Sequence, residues 1–419
     1  MNPVFDGFLK FLEYHGVDLN KEGLIEGFYW FDRQIVKAFD KNGNQHKILR
    51  MYTDDKLNVT IKHYKKEEFE IASWDDLILL HKDRIDKLSK DSLKLIKERI
   101  DLNKDYTIYI FNSGGKDSML TWYLVNNIKK SVSLFNNTSL DCADTYKFIK
   151  KIDNLKILNP EEGFYQWRDI LNYVPTRFRR SCCSIFKEGE TIKHIDAEEK
   201  CLIFMGMRNS ESNTRSDYGD DWKNNKWGDR EWQGVLPIRK WDELDVWLYT
   251  IKNNIPINEK YKKGYSRVGC AIACPFYNKS TWVLDKYWYP EMYERWQKII
   301  TKDFIDNFKW TRMNCTIEEY QTNWNGGLIR TEPTEEVIKE FAKYKNIDYD
   351  VAKKYFNNEC SVCGGKVNDK NEIAMNLKLN GRNTNKLYCQ KHLMAMYEID
   401  KSKYKEMIDD FKKQGCDLF

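Results

Sequence analysis

Six residues, Ser113-Gly114-Gly115-Lys116-Asp117-Ser118, constrain this chain more than any other stretch of it. They follow an apolar, β-branched run, Tyr106-Thr-Ile-Tyr-Ile-Phe111, and precede a second apolar stretch, Met119-Leu-Thr-Trp-Tyr-Leu-Val125. That order predicts a buried strand, a glycine turn and a helix N-terminus. Such a junction is an anion site: glycines let the backbone approach closely, the first helical amides are unpaired, and the macrodipole favours negative charge. Lys116 adds a compact cation, and Ser113 and Ser118 add hydroxyl donors. The spelling excludes a Walker A loop, because Asp117 follows the lysine and Ile110 stands where that motif needs its early glycine.

Bulk properties bound the rest. A chain of 419 residues is long enough for two or three domains and a large core. Its net charge of +5 announces no overall basic field. The 14 Trp and 25 Tyr are read mostly as core residues rather than as platforms for bases. No run approaches the roughly eighteen apolar residues of a membrane span, and Met1-Asn-Pro-Val-Phe-Asp6 does not read as a secretion signal. No membrane partner is expected. Eleven cysteines in such a chain read as metal ligands or reactive thiols in a reducing compartment, so the expected location is cytoplasmic.

The pattern along the chain divides it into four. Residues 1–100 read as an N-terminal accessory α+β region: a helix over Phe5–Tyr14, a hairpin of Gln34–Phe39 and His46–Tyr52 around Asp40-Lys-Asn-Gly-Asn44, a strand over Leu57–Tyr64, and a helical stretch over Trp74–Arg99. Residues 101–300 alternate strands and helices, with further strands expected at Ser131–Phe135, Leu155–Leu158 and Leu202–Met205. Alternation of this kind predicts an α/β fold, a parallel sheet with helices on both faces and ligands at the C-terminal strand ends. Residues 301–357 read as helical, and 358–419 as a small cysteine module with a following helix.

The hexapeptide resembles the pyrophosphate loop of the PP-loop ATP pyrophosphatase superfamily. Four further segments narrow that resemblance to its phosphoadenosine phosphosulfate (PAPS) reductase-like family. They are Phe135-Asn-Asn-Thr-Ser-Leu-Asp-Cys-Ala-Asp-Thr145, Gly206-Met-Arg-Asn-Ser-Glu-Ser-Asn-Thr-Arg215, Leu236-Pro-Ile-Arg-Lys-Trp-Asp-Glu-Leu-Asp-Val-Trp-Leu-Tyr249 continuing to Tyr261, and Gly264-Tyr-Ser-Arg-Val-Gly-Cys270-Ala-Ile-Ala-Cys274-Pro-Phe276. In the second, two arginines with serine donors between them suit a doubly charged phosphate or sulfate. In the third, Trp241 and Trp247 are read as scaffold. The resemblance implies a Rossmann-like domain in which Ser113, Gly114, Gly115, Lys116, Asp117, Ser118, Asn137, Thr138, Gly206 and Arg208 bind nucleotide.

Two cysteine groups invite metal. Cys182 and Cys183, with Cys270 and Cys274, offer four thiolates, enough for a [4Fe–4S] cluster. Iron–sulfur members of the resembled family carry Cys-x-x-Cys as the second pair, whereas three residues separate Cys270 and Cys274 here. Four ligands, three ligands with one open iron, and buried structural cysteines all remain open readings. In the tail, Cys360-Ser-Val-Cys363 and Cys389-Gln-Lys-His392 complete a closed tetrahedral zinc set, read first as a structural staple. Nearby Lys378, Arg382, Lys386 and Lys391 make a nucleic-acid finger the sharper alternative, and Cys416 is unassigned.

The intact loop has the form found in members that cleave ATP, whereas reductases of the family have altered loops. The resemblance is therefore closest to the ATP-pyrophosphatase subunits of DNA phosphorothioation systems. It implies an enzyme that binds ATP and Mg2+, releases pyrophosphate and AMP, and adenylates a nucleic-acid acceptor for sulfur transfer. Lys116, Arg208 and Arg215 would stabilise phosphate charge and Asp117 would position magnesium. A cysteine desulfurase is the expected sulfur donor and a homo-oligomer an expected state. The alternatives are an adenylyl sulfate or PAPS reductase, the small subunit of ATP sulfurylase, and a zinc-finger protein with a decayed nucleotide domain.

Overall fold

The computed structural model describes residues 1–419 apart from 66, 173, 178–179, 213–214, 308, 327–331, 357, 382–383, 385, 415 and 417. Five antiparallel strands open the chain and pair in sequence order: β1 (Asn2–Pro3), β2 (Tyr29–Asp32), β3 (Ile35–Phe39), β4 (Gln45–Thr53) and β5 (Val59–His63). The expected hairpin is β3–β4. Asp40 Oδ1 accepts from the amides of Asn42 and Asn44, both at 2.9 Å, and Gly43 takes the left-handed conformation of the turn (φ +85°). β1 and β2 were not anticipated from sequence. The helical stretch over Trp74–Arg99 is two helices, Trp74–Leu80 and Lys82–Leu102, broken at His81.

The second sheet holds β6 (Thr107–Phe111), β7 (Val132–Asn136), β8 (Leu155–Leu158), β9 (Cys201–Met205), β10 (Asp221–Trp222) and β11 (Trp232–Val235) in the order β10-β11-β9-β6-β7-β8. All pairs are parallel except the edge strand β10, which runs antiparallel to β11. The expected parallel sheet is present, with one short antiparallel strand added at its edge. Strand order reverses between β6 and β9, so the loops leaving these two strands flank the switch point where open α/β sheets bind ligands.

Alternation along β6 shows how the layers form. Ile108 and Ile110 face one core, with the Lys82–Leu102, Lys116–Asn126 and Glu243–Lys252 helices, while Tyr109 joins Leu134, Ile203 and Trp227 on the opposite side. Trp241 and Trp247 are buried in the first of these cores, each indole N–H satisfied at 3.0 Å by Ser92 Oγ and Asn2 Oδ1 respectively. A third core joins Leu49 and Met51 of the N-terminal sheet to Trp296, Phe304, Trp310 and Trp324 of the later helices. The boundaries expected after residues 100 and 300 fall inside the Lys82–Leu102 and Pro290–Asp306 helices. Residues 358–419 have small cores of their own, around Cys360, Val367 and Ile373 and around Met375, Leu393 and Tyr404. Among the described residues no helix is long and apolar enough to cross a membrane.

Candidate nucleotide site and cysteine centres

β6 ends in Asn112, whose side chain shapes the loop that follows. Its Oδ1 accepts from Gly114 N at 3.0 Å and lies 3.1 Å from the Ser118 hydroxyl. Gly114 turns the backbone with φ +71°, and a Cβ there would press on Ile149 at 3.0 Å. The Lys116–Asn126 helix begins at once. Its first amide, Lys116 N, donates to the Tyr261 hydroxyl at 3.1 Å, while Ser113 Oγ and Ser118 Oγ stand 3.4 Å apart. Gly114 N, Lys116 N and the Ser118 hydroxyl thus all point to protein oxygens.

Opposite it, β9 delivers Gly206, where a Cβ would lie 2.5 Å from the carbonyl carbon and oxygen of Asp117. Only glycine lets the two backbones meet so closely. From there an alternating ladder of charges runs across the site. Glu243 Oε1 is 3.3 Å from Lys116 Nζ, which is 3.0 Å from Asp117 Oδ2. Asp117 Oδ1 accepts from Arg208 Nε at 2.6 Å, Arg208 Nε stands 3.8 Å from Glu211 Oε1, and Glu211 pairs with Arg215. Burial opposes the charge on Lys116, but the Tyr261 hydroxyl, Asp117 and Glu243 hold its pKa above the ordinary value. Burial likewise opposes the Asp117 carboxylate, and Lys116 and Arg208 overcome it and keep its pKa low. Lys116, Asp117 and Arg208 are thus brought together, and Arg215 reaches them through Glu211. Sequence reasoning missed Asn112, Glu211, Glu243 and Tyr261. Three of these stood inside quoted motifs, but nothing local marked them as partners of the loop.

Asn137 and Thr138 leave β7 on the cysteine side. Asn137 is held by three partners, Tyr146 OH at 2.7 Å, Ser139 N at 2.9 Å and Asn159 Oδ1 at 2.8 Å. Thr138 donates to Asp141 Oδ2 at 2.9 Å and lies 3.8 Å from Cys270 Sγ. Neither side chain hydrogen-bonds to the Ser113–Ser118 loop, so their nucleotide role rests on the resemblance alone.

Cys182 and Cys183 open a π-helical turn, Cys183–Gly189, which Asn136 pins by donating to Lys187 O at 2.9 Å. The Cys182 thiol is pushed up by donating to Cys183, by burial, and by the nearby Cys270 and Cys274. Cys183 is shifted the other way: the bond from Cys182, then Lys187 and Arg180, draw it down to about 6 against burial. Cys270, raised by burial, and Cys183 in turn hold Lys187 charged. The extra residue between Cys270 and Cys274 is absorbed by a left-handed Ile272 (φ +40°), with Ala271 N bonded to Leu140 O at 2.9 Å. Cys182 thus interacts with the other three cysteines, and Lys187 with Cys183 and Cys270.

In the tail, the ligand atoms of Cys360, Cys363, Cys389 and His392 all lie within 4.8 Å of one another. His392 Nδ1 is 3.3 Å from Cys360 Sγ and 3.2 Å from Cys389 Sγ. Gly364 (φ +69°) completes the first knuckle, its amide bonded to Cys360 O at 2.8 Å. Burial opposes the Cys360 thiolate, but amides of Cys389, Cys363 and Val362 and the His392 ring draw its pKa down to about 6. Three sulfurs and an imidazole this close suit one tetrahedral ion. Of the basic residues noted beside this module, Arg382 lies outside the described residues, and Lys378 sits 4.6 Å over the Phe411 ring.

A phosphate-type loop facing an arginine motif across the switch of a parallel sheet defines a nucleotide domain of the PP-loop kind. Residues 107–275 match the phosphoadenosine phosphosulfate reductase domain, and this segment is a PAPS reductase-like domain. Two uncharacterized proteins of Methanocaldococcus jannaschii are similar, at 31% identity over 246 residues and 27% over 276 residues. The matches cover 57% and 64% of this chain but 58% and 56% of the relatives, so the chain spans less than two thirds of either. The adenosine 5'-phosphosulfate reductase of Neisseria meningitidis serogroup A is 28% identical over 167 residues, covering 37% of this chain and 66% of the relative. A crystal structure of phosphoadenylyl-sulfate reductase from Candida auris, a phosphate complex, aligns over 45% of this chain and 94% of its own, with 17% identity and a TM-score of 0.34.

Proposed function

We propose that the chain cleaves ATP to AMP and pyrophosphate and thereby adenylates an acceptor, a nucleic acid, for sulfur transfer. The observation that carries this reading is the complete Ser113–Ser118 loop with Lys116 and Arg208 converging on Asp117. A substrate that arrives already adenylylated has no pyrophosphate to leave, and so gives no use to such a loop.

The loop amides and Lys116 bind the β- and γ-phosphates, taking the places now held by the Tyr261 hydroxyl and Glu243. Asp117 is the carboxylate beside this cradle and would hold magnesium, which neutralises phosphate charge. An acceptor oxygen attacks the α-phosphorus, the bond to the β-phosphate oxygen breaks, and pyrophosphate leaves. Arg208 and Arg215 stabilise the charge that develops. Sulfur at the sulfide level then attacks the activated acceptor centre and AMP leaves with the acceptor oxygen.

Cys182, Cys183, Cys270 and Cys274 would hold an iron–sulfur cluster: Cys182 interacts with the other three thiols, and Lys187 sets a positive charge beside Cys183 and Cys270. When bound, that cluster would supply thiophilic iron for the sulfur-transfer step. Cys360, Cys363, Cys389 and His392 would hold zinc as a closed structural site. A cysteine desulfurase is the class of donor that supplies such sulfur in a cytoplasmic setting.

A second reading, reduction of an adenylyl sulfate, is favoured by the paired cysteines and by the name of the Neisseria relative. One experiment separates them: product analysis with anaerobically purified protein, with and without DNA or tRNA. AMP and pyrophosphate, increased by nucleic acid, support adenylation. No ATP cleavage, but sulfite from an adenylyl sulfate given a reductant, makes this chain a reductase.

A further inference from the structure

The outer face of the N-terminal sheet carries an arrangement that an isolated sheet would avoid. Arg50 of β4 stands directly opposite Lys62 of β5, and Lys47 of β4 directly opposite Lys37 of β3. Like charges opposed across strands are destabilising. Lys37 is neutralised by Asp32 at 2.7 Å. Lys47, Arg50 and Lys62 form no ion pair among the described residues, and three carboxylates close in sequence are engaged elsewhere. Asp54 accepts from the amides of its own turn at 2.8 Å, Asp55 pairs with Lys279, and Glu67 pairs with His46 at 2.7 Å. Arg50 Nε is also buried without a hydrogen-bond partner.

Aromatic rings alternate with these cations. The Arg50 guanidinium lies 4.7 Å over the Tyr52 ring and the Lys47 ammonium 5.8 Å over the Tyr64 ring. Tyr52 is 39% exposed. β5 is the edge of its sheet, so the face is open along one side. The chain as a whole has a net charge of only +5, which makes this a local concentration. At its far end β4 touches the Lys279–Trp288 helix, which follows the Cys270–Cys274 segment, with Thr53 Oγ1 3.3 Å from Ser280 Oγ.

We propose that this face of β4 and β5 binds single-stranded nucleic acid, with Lys47, Arg50 and Lys62 on backbone phosphates and Tyr52 and Tyr64 stacking on bases. Unpaired cations answer the phosphates and flat rings answer unpaired bases, and neither alone distinguishes a nucleic acid from an acidic protein. The inference deepens the function proposed above by placing the acceptor, and it stands on the sheet independently of ATP cleavage.

The test is fluorescence anisotropy of the full chain with labelled single-stranded DNA and RNA of about 12 nucleotides, within one module's reach. The expected result is binding to one or both strands that falls about tenfold or more in Arg50→Ala/Lys62→Ala. The salt slope should shallow by about 1.4, roughly 0.7 for each lost contact. Tyr52→Ala should weaken binding to these strands several-fold but leave binding to an abasic strand unchanged. The DNA and RNA arms identify the strand. Unchanged affinity in the double variant overturns the proposal, as does equal binding of polyglutamate through the same residues. Circular dichroism and the thermal unfolding midpoint, unchanged from the parent chain, are the control for folding. A chain that binds strands here but cleaves no ATP sinks the adenylation reading and leaves this one standing, and the converse holds.

Discussion

Glu243 Oε1 stands 3.3 Å from Lys116 Nζ, so the first turn of one helix holds the cation of another. A phosphate entering the loop must displace this carboxylate, which places ATP affinity in competition with an internal ion pair. Glu243→Gln should lower the dissociation constant for ATP about fivefold, in line with roughly 1 kcal/mol for a partly exposed pair. Isothermal titration of variant and wild type measures it; weaker binding in the variant would mean that Glu243 helps to form the site rather than guarding it.

Under the proposed reaction, Lys116→Ala removes the cation that faces the leaving phosphates. Pyrophosphate release should fall by about two orders of magnitude or more, with metal content unchanged because no cysteine touches Lys116. Equal turnover in the two proteins would refute the mechanism.

Gly206→Ala puts a methyl group 2.5 Å from the Asp117 carbonyl, against backbone that cannot step aside. A loss of about 1–3 kcal/mol in denaturant unfolding is expected, the usual range for overpacking. The KM for nucleotide should rise with it, because β9 and the loop helix are pushed apart.

Asp285 gives the fold a pH dependence. Burial lifts its carboxyl to about 6, against the opposing effects of Lys260 and the Tyr265 hydroxyl, which donates to its Oδ1 at 2.8 Å. Its other oxygen has no partner. The folded state therefore prefers the protonated form, and stability falls as pH rises from about 4 to about 6, then levels off. Asp285→Asn keeps the tyrosine bond and should remove that slope, gaining up to roughly 3 kcal/mol at pH 8 relative to pH 4. Parallel slopes for the two proteins in urea melts across this range would exclude the assignment.

The tail should behave as a unit that metal holds together. Removal of the ion by a chelator, or Cys389→Ser, is expected to expose residues 358–419 to protease while the rest of the chain resists. One equivalent of zinc by elemental analysis, lost in the variant, checks the site; a variant that keeps both its zinc and its resistance contradicts it.

Much of this architecture was legible in the sequence where a signal was local. The loop glycines, the β-branched strands and the Asn-Gly turn between β3 and β4 each announce their own geometry. β2 escaped because its turn to β3 runs through Arg33 and Gln34, both left-handed (φ +46° and +71°), with neither the glycine nor the asparagine that marks such turns. β10 is two residues long and joins by pairing, not by pattern. At the site, Lys116 and Arg208 could be read from their motifs. Glu243 and Tyr261 could not, since what makes them partners of the loop is the packing of two later helices against it.

The core that joins Leu49 and Met51 to Trp296, Phe304 and Trp324 also takes in Phe164, Phe186 and Cys274 of the nucleotide domain. The early strands and the late helices are thus two jaws of one clasp, shut around the cysteine side of the central sheet. A version trimmed to the recognisable domain would expose Phe164, Phe186 and Cys274 to water, so in this chain the flanks complete the interior of the domain they surround.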